Sequence, residues 1–255
     1  MAKGGEWFEE EAFWDMFAPV MFGAERWAEV PAVADGIRVL SGFGPNGGQG
    51  PVTRVVDLCC GSGRIAVELA VRGYRVSGVD ITASYLEAAR ESALDEGVDL
   101  ELVHADVRQF VRPARYDLAL NLYISFGYFD DPADDLLFAK NTYASLVPGG
   151  AFIIETLGRE LAIRDFTPGE TFERGGWNVT TSFESVDSWA GLRNHWTVTR
   201  GTERFERSFV QRLYSASDLS ALLLQAGFGS VELYGEWDKS PYDDKARVLI
   251  VVARK

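Results

Sequence analysis

The stretch VVDLCCGSGRIA, residues 55–66, decides how the rest of the chain is interpreted. An apolar run that ends in an acid is followed by a turn with two glycines and then by an amphipathic segment. This pattern predicts a buried strand that bends sharply into a helix. Gly61 and Gly63 can adopt positive φ and let a ligand approach the backbone, while the amides that open the helix point into the same space. The turn therefore predicts a cofactor site.

The acid before the glycines makes this turn unusual. The carboxylate of Asp57 would repel a pyrophosphate and attract a cationic ligand. The same residues nevertheless satisfy the dinucleotide-binding pattern, since Gly61-x-Gly63-x-x-Ala66 is followed by Asp80, 19 residues after Gly61. The glycine pattern by itself leaves both kinds of cofactor open.

Three later stretches help to choose between these cofactors. After the turn come, in this order, Gly78-Val79-Asp80, Ala105-Asp106-Val107 and LVPGG at residues 146–150. The series resembles the class I S-adenosylmethionine-dependent methyltransferases, closely over about residues 52–158 and more loosely to the C-terminus. Cys59 stands where most members of that family have a third glycine, a variant found in the small-molecule branch. The resemblance implies S-adenosylmethionine as cofactor, S-adenosylhomocysteine as product, and similarity to the N-methyltransferases of antibiotic sugar and peptide pathways.

The composition restricts the partners. The chain has 255 residues, 47% of them hydrophobic, which is enough for a sizeable core. Its net charge of −13 argues against nucleic acid, as does Asn-Leu-Tyr-Ile at 121–124 in place of the Asn/Asp-Pro-Pro-Tyr motif of base-amino methyltransferases. No apolar window approaches about 18 residues and the acidic N-terminus lacks a signal-peptide pattern, so we expect a cytoplasmic protein with no membrane partner.

Adjacent Cys59 and Cys60 are expected to pack as small hydrophobes.

Strand and helix signals alternate after residue 53. Strands are predicted at 54–59, 74–80, 99–104, 116–123 and 151–156, and helices at 63–72, 83–96 and 134–147. Residues 170–214 instead hold short strand-like runs separated by glycines, and a helix at 217–226 precedes strands at 229–235 and 247–253. We predict an α/β fold with a doubly wound, mainly parallel sheet and helices on both faces. By the resemblance, the sheet has seven strands and the closing pair supplies the last two.

Four parts of the chain follow from these patterns. Residues 1–50 form an N-terminal helical lid, in which Phe13, Phe17 and Met21 share a face, and a glycine-rich linker. Residues 51–166 form a Rossmann-like cofactor-binding core, 167–214 an inserted antiparallel sheet, and 215–255 the C-terminal helix and closing hairpin. The resemblance implies that the inserted sheet covers the active site. A homodimer through the insert is a further prediction.

The donor-binding residues are predicted from the strand ends. Asp80 offers two acceptor oxygens for the ribose diol, and it could also cap the next helix. Asp106 could accept the adenine amine, with Ile81 and Val107 on either side of the ring, and Asp57 faces the ammonium or sulfonium side. The remaining candidates for donor binding are Arg26 for the methionine carboxylate, Cys59, Gly61, Gly63, Asn121 and Leu122.

Methyl transfer makes few chemical demands. The nucleophile must be held in line about 3 Å from the methyl carbon with water excluded, and a base is required only if the acceptor arrives protonated. The candidate catalytic residues are His195, on an insert strand that could overhang the pocket, Tyr123 and Tyr128. The candidate substrate-contacting residues are Trp14, Phe126, Trp196 and Arg212, of which Arg212 could anchor an acidic acceptor. No metal site is predicted.

The sequence therefore predicts transfer of a methyl group from S-adenosylmethionine to a nitrogen, oxygen or carbon of a small-molecule metabolite. Two alternatives stay open. One is an NAD(P)-dependent oxidoreductase that uses the same turn, although no tyrosine of the core is followed four residues later by a lysine. The other is a non-catalytic S-adenosylmethionine-binding protein, because binding and catalysis share nearly all of these residues.

Overall fold

The computed structural model describes residues 7–10, 13, 14, 17, 18, 20, 23–45 and 52–255. Parts of the predicted lid and linker, including Met21 and residues 46–51, lie outside the described residues. The described strands are β1 Arg54–Leu58, β2 Arg75–Asp80, β3 Glu101–His104, β4 Tyr116–Asn121, β5 Leu146–Thr156, β6 Gly169–Arg174, β7 Trp177–Val186, β8 Gly191–Arg200, β9 Glu203–Arg212, β10 Ser230–Tyr234 and β11 Leu249–Arg254.

Seven strands form the central sheet in the order β10-β11-β5-β4-β1-β2-β3. Neighbours run parallel from β3 to β5, and β11 is antiparallel to both β5 and β10. Because β1 pairs with β2 on one side and β4 on the other, the strand order reverses at β1. Ligands of such sheets bind at this reversal, beyond the carboxyl ends of the strands.

Helices cover both faces of the sheet, so the predicted fold class is confirmed. One face packs on helices through Phe138 and Leu223, and the other through Ile37 and Leu69. The described helices are Ala24–Ala28, Val30–Ser41, Arg64–Val71, Ala83–Asp95, Pro132–Ser145, Arg159–Arg164 and Ala216–Ala226, with a 3₁₀ turn at Trp7–Glu9. None of them is long and apolar enough to cross a membrane.

The structure corrects several predicted elements. Helices Val30–Ser41 and Arg159–Arg164 were not predicted, and β5 begins at Leu146 rather than at residue 151. β4 ends at Asn121, two residues early, because Tyr123 and Ile124 both have positive φ and leave the extended conformation.

The insert forms a second, antiparallel sheet in the order β6-β7-β8-β9. Its inner face carries buried side chains such as Val179 and Val198, whereas polar residues alternate with them on the outer face. Hydrogen bonds at Arg212, the last residue of β9, join this sheet to the core. Its backbone N donates to Gly127 O at 2.8 Å, and its Nη2 donates to Phe129 O at 2.8 Å.

A buried acid completes this junction. Asp135 is fully buried, and its Oδ2 accepts hydrogen bonds from Tyr214 OH at 2.8 Å and Arg212 Nε at 3.0 Å. Burial raises the pKa of the Asp135 carboxyl to about 6, although Tyr214 and Arg212 both lower it. At neutral pH the carboxylate therefore depends on these two partners, and the second sheet is held to the core through them.

We expect Arg212→Met to lower the free energy of unfolding by about 3 kcal/mol at pH 7.5, because it leaves a buried charge without its cationic partner. The loss should be smaller at pH 5, where the Asp135 carboxyl, with a pKa of about 6, is largely protonated. Urea denaturation of the wild type and the variant at pH 7.5 and pH 5 measures the loss of unfolding free energy at each pH.

Arg193→Met is the matched control on the same sheet, since Arg193 pairs with Glu184 at 3.3 Å in an exposed ion pair. Such pairs contribute about 0–1 kcal/mol. Equal losses in the two variants would show that the Arg212 pair does not hold the sheets together.

Candidate active site

The turn after β1 has the backbone that its glycines were expected to provide. Cys59, Gly61 and Gly63 have φ of 63°, 53° and 77°. A Cβ on Gly63 would lie 2.6 Å from Ala89 Cβ, so glycine also allows the turn to pack against helix Ala83–Asp95. This close packing brings the ends of β1 and β2 together.

Two acids lie beside the turn. Asp80 Oδ2 accepts a hydrogen bond from Gly61 N at 2.7 Å, and Oδ1 accepts one from Thr82 N at 2.9 Å. Asp57 is 4% exposed, and no described residue donates a hydrogen bond to its carboxylate. Burial raises the pKa of both acids. The pKa of Asp57 reaches about 7, because the charge of Asp80 adds to the effect of burial and Arg64 only partly offsets it. A buried carboxylate without a donor is typical of a ligand site.

The end of β4 is strained. Tyr123 and Ile124 have φ of 55° and 66°, and positive φ is rare for a β-branched residue. The side chain and backbone of Glu155 hold this conformation, since Tyr123 N donates to Oε2 at 2.6 Å and Ile124 N donates to the carbonyl oxygen at 3.2 Å. The Arg64 guanidinium lies 4.4 Å from the centre of the Tyr123 ring. Strained backbone held by its surroundings is characteristic of functional sites.

A cavity of about 530 Å³ joins these features. It lies between the carboxyl ends of the central strands and the inner face of the second sheet, and the described aromatic residues of the N-terminal segment close one side. Trp14 is fixed there because its Nε1 donates to Phe8 O at 2.7 Å and its carbonyl accepts from Tyr85 OH at 2.7 Å. Two buried polar atoms of the lining, Tyr123 OH and Trp196 Nε1, have no hydrogen-bond partner in the described part of the chain.

Most of the predicted site residues meet at this cavity. Those that line it are Arg26, Asp57, Cys59, Gly61, Asp80, Ile81, Asp106, Val107, Leu122, Tyr123, Tyr128, Trp14 and Trp196. Gly63 shapes the turn without lining the cavity. Arg26 is half-exposed and pairs with Glu29 at 3.2 Å. Both oxygens of Asp106 are engaged by Arg108, whose Nε lies 2.8 Å from Oδ2 and whose backbone N lies 2.8 Å from Oδ1.

His195 lies outside the cavity, which corrects its prediction as a catalytic residue. Asn194 and Trp196 line the cavity, and strand alternation turns the residue between them to the outer face of β8. There the Nδ1 of His195 lies 2.6 Å from Ser208 Oγ. The sequence pattern did not settle which face of this strand points inward.

Two other predicted residues, Phe126 and Arg212, are structural, and Asn121 has at least a structural contact. Phe126 is 1% exposed and stacks on Phe138 with ring centres 5.6 Å apart, so it belongs to the core rather than to a substrate pocket. Arg212 is committed to the junction with Asp135 and cannot anchor an acidic acceptor from there. Asn121 is fully buried, and its Nδ2 donates to Leu58 O at 2.9 Å, which ties β4 to β1. Its Oδ1 has no hydrogen-bond partner among the described residues, so donor binding by Asn121 stays a prediction.

The sequence also missed several cavity residues. Arg64, Tyr85, Asn194, Phe209 and Gln211 line the cavity. Arg64 follows the glycine turn directly and could have been proposed from that position. Asn194 and Gln211 could not have been proposed from the sequence, because the face of the sheet on which they lie depends on strand pairing. Cys59 and Cys60 are free, and burial raises the pKa of both thiols, in agreement with a packing role.

Comparison with known proteins supports one family. A family model described as a methyltransferase domain matches residues 55–150. The chain is 27% identical over 213 residues to a glycine/sarcosine N-methyltransferase from Aphanothece halophytica, which covers 79% of this chain and 76% of that protein.

Solved structures share the fold. An S-adenosylmethionine-dependent methyltransferase from Clostridium acetobutylicum has a TM-score of 0.72 at 15% identity and covers 95% of this chain and 96% of its own. An amino pentose methyltransferase from Micromonospora echinaspora, solved with S-adenosylmethionine bound, has a TM-score of 0.69 at 20% identity and covers 96% of this chain and 97% of its own.

The matched residues contain the turn after β1, both acids beside it and the strained end of β4. The family model, the curated relative and the fold thus agree with the geometry of the cavity. Residues 55–150 thus match a methyltransferase domain, and the comparisons together with the fold support a class I S-adenosylmethionine-dependent methyltransferase.

Proposed function

We propose that this enzyme transfers the methyl group of S-adenosylmethionine to a nitrogen, oxygen or carbon atom of a small-molecule metabolite. The observation that supports this proposal is the cavity of about 530 Å³. Pockets for small ligands have volumes of about 300–1,000 Å³. A cavity of this size that is closed by a second sheet suits a nucleoside cofactor and a small acceptor, and it does not suit a polymer.

The residues at the turn fit the proposed donor. The Asp57 carboxylate is buried without a hydrogen bond from described residues, so a cationic ammonium or sulfonium group would supply the missing partner. Arg26 and Arg64 line the same end of the cavity and are candidates to bind the methionine carboxylate. When bound, the donor supplies a methyl group activated by positively charged sulfur.

Asp80 and Asp106 already accept hydrogen bonds from the protein, and only Asp80 keeps clear capacity for the donor, because Arg108 contacts both oxygens of Asp106 twice. Each carboxylate oxygen has two lone pairs, and each oxygen of Asp80 receives one backbone N–H. The unused lone pairs can accept the ribose hydroxyls. Asp106, with Ile81 and Val107 beside it in the lining, is proposed to contact adenine, whose amine would share the Asp106 carboxylate with Arg108.

The protein's share of catalysis is proposed to be positioning and the exclusion of water. Burial raises the pKa of the Tyr123 and Tyr128 hydroxyls well above 10, so both keep their protons near neutral pH. They can hydrogen-bond to an acceptor but are not poised to act as bases. His195 faces away from the cavity. The acceptor is therefore expected to react as a neutral nucleophile.

The comparisons are in line with a small acceptor. Glycine and sarcosine appear in the name of the Aphanothece relative, and an amino pentose in that of the Micromonospora structure. The family assignment disfavours the nicotinamide alternative, and transfer activity would exclude the non-catalytic one. A homodimer through the second sheet stays a prediction.

We expect Asp80→Asn to weaken binding of S-adenosylhomocysteine at least tenfold, because the amide loses acceptor capacity for the ribose. Isothermal titration calorimetry measures the affinity, and Asp95→Asn, at the exposed end of the helix that follows, should leave it unchanged. Unchanged affinity in Asp80→Asn would remove the ribose assignment. Binding of NAD without S-adenosylhomocysteine would favour the oxidoreductase.

The affinity for S-adenosylmethionine should rise several-fold between pH 6 and pH 7.5. Burial raises the pKa of Asp57 to about 7, so the carboxyl is mostly neutral at the lower pH and mostly charged at the higher one, and only the charged form attracts the cation. Asp57→Asn should bind more weakly with a flat profile. A flat profile in the wild type, or the same slope in the variant, would contradict this role of Asp57.

A further inference from the structure

Two amide side chains interrupt the apolar inner face of the second sheet. Asn194 on β8 and Gln211 on β9 are 7% and 6% exposed, and both line the cavity. Buried amides are costly unless their polar atoms find partners. Their hydrogen bonds therefore indicate what the cavity is built to receive.

The nitrogen of each amide is used by the protein, and the oxygen is not. Asn194 Nδ2 donates to Leu192 O at 2.9 Å, and Gln211 Nε2 donates to Ile124 O at 3.4 Å. These bonds fix the orientation of both amides, because a carbonyl can accept only from a nitrogen. No described residue donates to Asn194 Oδ1 or to Gln211 Oε1. Both oxygens are thus left to accept hydrogen bonds from a ligand.

The strand register places these oxygens within reach of one small molecule. Asn194 pairs with Phe209, and Leu192 pairs with Gln211, so the two amides are diagonal neighbours on the same face. Such neighbours lie about 7–8 Å apart. The bond from Gln211 to Ile124 places this pair beside the strained end of β4.

The surroundings of the amides are apolar. Leu192 forms a buried cluster with Ala162 and Leu213, against which Leu157 and Phe183 pack. The charged residues that line this part of the cavity lie at its rim. Asp165 is paired with Arg164 at 2.6 Å, and the side chain of Arg247 is 84% exposed and paired with Glu236 at 3.2 Å. An enclosed ligand would therefore meet apolar groups and two amide oxygens rather than a charge.

We propose that Asn194 and Gln211 determine acceptor specificity by accepting hydrogen bonds from the O–H or N–H group of an uncharged, largely apolar acceptor. This inference rests on the proposed function and deepens it. An amide carbonyl is too weak a base to remove a proton, so the two residues orient the nucleophile's lone pair. That lone pair forms the bond to the methyl carbon, the carbon–sulfur bond breaks with its electrons remaining on sulfur, and the nucleophile's proton passes to water.

The test uses the full chain saturated with S-adenosylhomocysteine and three probes. These are 2-naphthol, which has an apolar body and an O–H donor, 2-methoxynaphthalene, which lacks the donor, and glycine, which is charged. Calorimetry should show that 2-naphthol binds at least fivefold more tightly than 2-methoxynaphthalene, and that glycine does not bind measurably. A hydrogen bond of about 1 kcal/mol corresponds to a change of this size.

Asn194→Leu and Gln211→Leu should each remove most of the preference for 2-naphthol and leave the affinity for 2-methoxynaphthalene nearly unchanged. Gln211→Leu loses only a long hydrogen bond to Ile124, so it keeps the test valid if Asn194→Leu fails to fold. His195→Leu, on the outer face of the same strand, is the matched control and should keep the preference.

The proposal would be overturned by equal affinity of the wild type for the two naphthalene probes, by binding of glycine alone, by no binding of any probe, or by an unchanged preference in both amide variants. Failure of the wild type to bind S-adenosylhomocysteine in the first step would instead count against the proposed function.

Discussion

A buried carboxylate that receives no hydrogen bond from the described residues is the constraint on which the site depends. Asp57 lies near the carboxyl end of β1 and is 4% exposed. Burial and the charge of Asp80 raise its pKa, and the charge of Arg64 partly opposes this effect. Folding leaves this group exposed only toward the cavity, and burial of a charge is unfavourable unless a partner compensates it. In the proposed function a cationic donor would supply this interaction, whereas a pyrophosphate would add a further repulsion.

The rest of the fold keeps that carboxylate in place and encloses what it binds. Gly63 allows the turn to pack against Ala89, which brings Asp80 to the same side. The junction at Arg212 and Asp135 fixes the second sheet above the strand ends. That sheet presents mainly apolar side chains and the two amides to the cavity, and Arg174 of β6 is its charged lining residue in the described part of the chain.

Local sequence predicted the strand, turn and helix of the proposed cofactor site and most of the core. The turn and both acids follow from residues close together in the chain, so their geometry needs little long-range information. The acceptor half depends on strand pairing. A shift of one residue exchanges the faces of β8, which is why His195 was predicted in place of Asn194. Phe126 and Arg212 were misassigned for a related reason, since their contacts join segments far apart in the sequence. The early end of β4 comes from backbone strain that composition does not reveal.

The most direct test of the account is the position of the donor's charged groups in a crystal structure with S-adenosylmethionine bound. We expect the ammonium or sulfonium group to lie within hydrogen-bonding or ion-pairing distance of the Asp57 carboxylate, directly or through one water molecule. A donor bound elsewhere, or bound at the turn with Asp57 directed away into the protein, would contradict the central role of this acid.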